Sequence, residues 1–190
     1  MICEEHGFLF IHIKRTGGNS VYSFFSPLGS FLPTDNINTK FHCGASAYYE
    51  HLGHERWSKF FKWAIVRNPW ARMLSLYHNR HRDKASDDID SHRRRFTRWL
   101  LRYVKPPDFE QTDKLMIDKK IVMDYICRFE TLQQDFQKVC RQCGIEYQPL
   151  PRKNSTKRTH YTSYYTDKSR KIVKERCQLD ITTFDFQFGK

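Results

Sequence analysis

The sequence predicts a three-layer α/β domain of P-loop-like type, with a central parallel sheet flanked by helices. Three observations carry this. Gly7-Phe-Leu-Phe-Ile-His-Ile13 is a nearly continuous apolar run, as strands covered on both faces are. A glycine loop, Lys14-Arg-Thr-Gly-Gly-Asn19, leads from it into helical spacing at Val21, Phe24 and Phe25. A second apolar run, residues 60–66, meets Arg67-Asn-Pro69 and a further helical pattern. Strand–helix alternation points to a parallel sheet. Ligands of such sheets bind beyond the carboxyl ends of the strands, where both the 14–20 loop and Arg67 fall.

The remaining elements follow in order. Residues 26–39 hold Pro27, Gly29, Pro33 and Asn36 and read as loop. Residues 45–52 predict a short helix. Asn68 is placed to cap the helix after the second strand, with Pro69 at its first position. Trp70, Met73, Leu74 and Tyr77 share one face of that helix. Residues 80–98 are dense in charge, and the 80–120 region reads as a solvated, partly helical insertion rather than a separate domain. Residues 124–129 predict a third strand. Thr131 is expected to cap the next helix, with Leu132, Phe136 and Val139 inward and Gly144 as its stop. A last helix runs from Thr166 past Ile172, Val173 and Cys177 to Ile181, and Phe184, Phe186 and Phe188 alternate in a closing segment. With no repeat and no linker, residues 1–190 read as one domain.

Lys plus Arg number 33 against 21 Asp plus Glu, a net charge of +12. That excess favours anionic partners such as nucleic acid, phosphorylated cofactors, acidic glycans or a membrane surface. No apolar run reaches the roughly 18–20 residues that span a bilayer. No signal peptide precedes the first strand, so a cytoplasmic location is expected; the lumenal catalytic domain of a Golgi enzyme would look the same. Of six cysteines only Cys140 and Cys143 have CxxC spacing. They lie near the apolar face set by Leu132, Phe136 and Val139 and read as reduced thiols, with a zinc or redox site as the alternative.

The loops carry the chemistry. In Lys14-Arg-Thr-Gly-Gly-Asn-Ser20 the glycines allow backbone amides to turn inward, and the following helix offers free N–H groups at its positive end. Lys14, Arg15, Thr16, Asn19 and Ser20 add donors around Gly17 and Gly18. This is a site for a multiply charged oxyanion. It is neither G-x-x-x-x-G-K-[ST] nor G-x-G-x-x-G. Arg67 at a strand end and Ser75 two turns into the next helix can clamp a second phosphate.

Phe10-Ile-His-Ile-Lys-Arg-Thr-Gly-Gly-Asn-Ser20 resembles the 5′-phosphosulfate loop of carbohydrate sulfotransferases, F-I-H-I-P-K-T-G-G-T-S. Val66-Arg-Asn-Pro-Trp-Ala-Arg-Met-Leu-Ser-Leu-Tyr77 is similar to that family's 3′-phosphate motif, V-R-N-P-y-x-R-l-x-S-x-Y. Ile126-Cys-Arg-Phe-Glu130, Leu150-Pro-Arg-Lys-Asn154, His160-Tyr161, Tyr164-Tyr165, Asp180-Ile181 and Phe184 follow the pattern in order, so the resemblance spans nearly the whole chain. It implies the donor 3′-phosphoadenosine-5′-phosphosulfate (PAPS) and the product adenosine 3′,5′-bisphosphate, with no metal required. It implies Arg67 and Ser75 on the 3′-phosphate, and residues 14–20 on the 5′-phosphate and sulfuryl group. Lys157, Arg158 and Tyr161 belong to a basic loop expected to close over the nucleotide; residues 151–176 hold nine Lys/Arg against two acids. The acceptor would be a hydroxyl of a glycan, acidic glycans included.

Transfer to a hydroxyl needs a base, and Phe41-His42 stands where the resembling enzymes often carry one between the two motifs. A neutral imidazole takes a proton near pH 7. His12 reads as a strand histidine packed behind the loop, and His51 and His54 as rivals for the base. The sequence departs from the pattern at Lys14-Arg15, where the family has Pro-Lys. Either residue can stand in for the family's lysine, or the chain binds nucleotide with weak catalysis. A basic nucleic-acid-binding protein and a nucleotide kinase are the other readings. No nucleic-acid-binding motif supports the first, and the missing phosphate-loop residues count against the second.

Overall fold

In the computed structural model the described residues are 1–28, 42–81, 88–102, 104, 108–151 and 159–190. The chain divides into two compact units, each built from two segments. Met1–Val66 with Asp113–Ser155 form the first, and Arg67–Thr112 with Thr156–Lys190 the second.

The first unit holds the sheet. Its strands are β1 (Ile2–Cys3), β2 (Phe8–Ile11), β3 (Phe61–Val66) and β6 (Tyr125–Arg128), in the order β1-β2-β3-β6. β2, β3 and β6 are parallel, with Phe10 opposite Trp63 and Trp63 opposite Tyr125. β1 is an antiparallel edge strand, too short to leave a sequence signal. Phe8, Leu9, Phe10 and Ile11 are all buried, which is why the run carries no polar alternation. One face meets α1 (Gly18–Phe25) and α5 (Leu132–Gln142). There Phe10 and Trp63 centroids lie 4.4 Å apart, Phe8 and Phe25 4.8 Å, and Trp63 and Phe136 6.0 Å. Each such ring contributes about 1.5–3 kcal/mol by leaving water.

Two connecting elements complete this unit. α2 (Ala45–Lys59) is longer than the predicted 45–52, but Gly53 breaks its helical backbone at φ 70° just past that end. A two-strand ribbon, β4 (Met116–Ile117) and β5 (Lys120–Ile121), turns through Asp118 and Lys119. Both turn residues are left-handed, as a two-residue hairpin requires, although Lys is a poor marker for it.

Thr131 stands at the N-cap position of α5, as expected, but its side chain makes no capping bond. A 3-10 turn over Phe129–Thr131 leads into α5, and the Thr131 hydroxyl donates to Asp135 Oδ2 at 2.8 Å instead. Gly144 does end the helix, at φ 65° with Ile145 N–H donating back to the Cys140 carbonyl. All six cysteines are free thiols. Burial pushes Cys140 up to about 11 and Cys143 to about 12, so both stay protonated and unreactive at neutral pH.

The second unit is helical: α3 (Pro69–Arg80), α4 (Ile89–Arg102), α6 (Asp167–Arg176) and α7 (Gln178–Phe184). Asn68 caps α3 as expected, its Oδ1 accepting from Trp70 and Ala71 N–H. The charged 80–98 stretch is more than a solvated excursion. α4 buries Phe96, Trp99 and Leu100, and Phe96 meets Tyr77 at 5.3 Å and Tyr165 at 5.0 Å. Thr166 caps α6 in a reciprocal pair with Ser169. The single last helix predicted from Thr166 towards Ile181 is broken at Cys177, whose non-helical φ of −119° separates α6 from α7. The closing Phe184-Phe186-Phe188 segment is no strand. Phe184 ends α7, Asp185 turns left-handed, and Phe188 packs on Trp70. No described helix is long and apolar enough to cross a membrane.

Candidate functional site

The loop after β2 is shaped by residues that have left the strand but not the core. His12 and Ile13 stay buried, and fully buried Thr16 donates its hydroxyl to the Ile13 carbonyl at 2.9 Å. That hydroxyl closes the loop on itself. Arg15 (φ 68°) and Gly17 (φ 96°) are both left-handed. Left-handed residues interspersed in a turn gather successive N–H groups on one side of the chain, the arrangement that holds anions. Arg15 adopts it at a cost of about 1–2 kcal/mol, since it carries a Cβ.

The two glycines answer different needs. Gly17 supplies the left-handed backbone at the start of α1, and its Cβ would press on Leu132 at 3.1 Å. Gly18 is needed for space: a Cβ there would overlap the His12 ring. α1 begins three residues before the first apolar position, Val21, so Gly18 and Asn19 present N–H groups with no partner inside the helix. Ser20 and Val21 N–H both turn back to the Gly17 carbonyl. Lys14 and Arg15 are half-buried beside this positive helix end, Asn19 is exposed and Ser20 half-buried.

His12 and His42 sit against this loop as a pair. Their ring centroids are 4.6 Å apart, and His42 Nδ1 lies 3.3 Å from the His12 carbonyl. A carbonyl only accepts, so the contact selects the tautomer with hydrogen on Nδ1 and leaves Nε2 as the proton acceptor. His12 is the contrasting partner. Burial, then His42, then the N-terminal ammonium push it down to about 3. It is therefore neutral in the fold, while the unfolded chain takes up its proton below the ordinary 6.5. Stability from this position is complete above pH about 6.5 and drains away as pH falls towards 3. The His12 ring resonances are expected to stay fixed between pH 7.5 and 5 in an NMR titration; a midpoint near 6.5 would mean the ring is not sealed off. His51 and His54 are exposed on α2.

The second motif is organised around main chain. Arg67 is half-buried, and its N–H donates to Gln111 Oε1 at 2.9 Å. Gln111 Nε2 donates to the Arg67 carbonyl at 2.8 Å and to Asp180 Oδ2 at 2.8 Å. Asp180 is fully buried and also accepts from Gln111 N–H, Thr112 N–H and the Thr112 hydroxyl. Glu110 takes the Leu179 and Asp180 N–H groups at the start of α7. Burial and then the Asp180 charge hold its carboxyl well above the usual range.

Arg72, the second arginine of the motif, is buried and donates to the Asp108 and Phe109 carbonyls, which makes it a structural strut. Asn68 Nδ2 donates to the Gln187 and Lys190 carbonyls, tying the tail to the motif. Ser75 is half-buried in the second turn of α3. The Tyr161 hydroxyl accepts from Gly189 N–H at 2.6 Å. Lys157 and Arg158 lie outside the described residues.

The first unit thus joins the 14–20 loop to His42 through His12, and the second carries Arg67 and Ser75 on one strand-end and helix. Gln111 and Asp180 had no assigned role in the sequence. Their bonds to Arg67 and to each other span 44 and 69 residues, beyond the reach of any local pattern. Among the described residues no group of three or more His, Cys, Asp or Glu is placed to hold a metal. The model of the sulfotransferase family matches residues 1–187. No curated protein and no solved structure matches the chain.

Proposed function

The chain belongs to the sulfotransferase family, and on that premise we propose that it transfers a sulfuryl group from PAPS to a hydroxyl of a carbohydrate. The observation that carries the reading is the loop at the head of α1. Left-handed Arg15 and Gly17, helix N–H groups without an intrahelical partner, and the cationic residues Lys14 and Arg15 lie together in this loop, in a chain that matches the family almost end to end. This donor set suits a dianionic oxyanion and offers no ligand cluster for a metal.

When bound, the donor supplies an activated sulfuryl group whose transfer frees a bisphosphate. By the family's motifs, residues 14–20 would hold its 5′ end, and Arg67 with Ser75 would hold the 3′-phosphate. Lys14 and Arg15 neutralise the charge that gathers on the departing phosphate oxygen. A planar guanidinium at position 15 does this without the mobility of an ammonium, so Lys14 shares the task. His42 takes the acceptor's proton at Nε2, the nitrogen that the Nδ1 contact with the His12 carbonyl leaves unprotonated.

Labelled PAPS offered with a panel of glycans, lipids and phenols tests this. Label is expected on a glycan hydroxyl. His42→Ala is expected to reduce transfer by roughly 10²–10⁴-fold with adenosine 3′,5′-bisphosphate binding unchanged. Full activity in that variant moves the base elsewhere. Bisphosphate binding without transfer by the natural sequence leaves a nucleotide-binding homologue, the outcome that the Lys14-Arg15 departure favours.

A further inference from the structure

We propose that Gln111 is a positioning residue that aims Arg67 at the 3′-phosphate by holding its main chain from both sides; this rests on the donor assignment just given. β3 stops at Val66, and Arg67 is the next residue along the chain. There the Gln111 side chain does what a neighbouring strand would do, accepting from Arg67 N–H at 2.9 Å and donating to Arg67 C=O at 2.8 Å. Both φ and ψ of Arg67 are flanked by these two bonds, so the direction of its Cα–Cβ bond is fixed before any phosphate arrives.

The amide itself cannot turn over. Its remaining N–H points at Asp180 Oδ2, a carboxylate that only accepts, so Nε2 and Oε1 are unambiguous. Every hydrogen-bonding group of the Gln111 amide end is then used, apart from one lone pair. The main-chain N–H of the same residue is held by both Asp180 oxygens, at 2.8 and 3.0 Å. Gln111 is fully buried, so water does not substitute for it. A side chain with this much of its capacity spent on one neighbour's backbone has a directional role, beyond filling space.

The test compares the natural sequence with Gln111→Met, which keeps the length and loses the amide, and with Gln111→Asn, which keeps the amide and draws it back by one methylene. Calorimetry measures adenosine 3′,5′-bisphosphate and adenosine 5′-monophosphate, and hydrogen exchange reports on the Arg67 amide. Gln111→Met is expected to bind the bisphosphate roughly tenfold more weakly, with monophosphate affinity unchanged and the Arg67 amide exchanging faster. If Gln111→Met does not fold, Gln111→Asn is expected to give the same pattern. Unchanged bisphosphate affinity in a folded variant, unchanged Arg67 exchange, or equal loss of both nucleotides would each overturn the proposal. A natural sequence that binds the two nucleotides equally overturns the assignment of Arg67 to the 3′-phosphate. In that case, faster Arg67 exchange in the variants would still show the clamp.

Discussion

Asp180→Ala is expected to remove about 3–5 kcal/mol of stability, the largest loss from a single polar side chain here. The carboxylate is fully buried, and it gathers the Gln111 N–H, the Gln111 amide, the Thr112 N–H and the Thr112 hydroxyl. Alanine leaves all of these donors facing apolar space. Each orphan costs about 1–3 kcal/mol, and local relaxation keeps the total below their simple sum. The damage extends to Arg72. Its buried guanidinium draws its strongest charge support from Asp180 and would be left with the weaker support of Asp108 and Glu110 and with main-chain carbonyls. Asp180→Asn keeps the shape but turns one acceptor into a donor, so a smaller loss follows. Urea denaturation followed by circular dichroism measures both, and an alanine variant within 1 kcal/mol of the natural protein would show that the network is replaceable by water.

Gly18→Ala is expected to cost about 1–3 kcal/mol and to weaken nucleotide binding as well. The added methyl falls on the His12 ring, and that ring has no free direction to move. It stacks on Phe10 at 6.0 Å and meets Tyr22 at 5.4 Å and His42 at 4.6 Å. The helix start must yield instead, which moves the N–H groups proposed above to face the anion. A double-mutant cycle isolates the clash. In the background of His12→Ala, where the ring is gone, Gly18→Ala is expected to be nearly neutral. Equal cost in both backgrounds would trace the effect to helix backbone rather than to the histidine.

The sequence showed the parallel strands clearly because β2 and β3 are buried on both faces, and burial on both faces removes polar alternation. It showed the start of α3 because Asn68 and Pro69 act within two residues of one another. It did not show the break at Cys177, since the apolar rhythm of α6 continues through Ile172 and Val173 into α7 and a break of one residue leaves that rhythm intact. The same distinction holds at the site. The glycines and cations of the 14–20 loop lie together in sequence and were legible there. The residues that hold Arg67 were not, because a glutamine at position 111 looks like any surface amide until Asp180, far along the chain, is folded against it. Thr131 misled for a related reason. A threonine before a helix has two nearby partners, backbone and Asp135 four residues on, and its position alone does not say which one wins.

The pairing of β3 sets a timetable for biosynthesis. Trp63 lies between Phe10, which precedes it, and Tyr125, about sixty residues further on. A chain elongating at roughly 5–20 residues per second leaves that edge open for about 3–12 s before β6 emerges. For that interval an apolar strand with unpaired N–H and C=O groups is exposed to other nascent chains. Yield in cells is therefore expected to respond to chaperone supply and translation speed, even when the finished protein is unchanged.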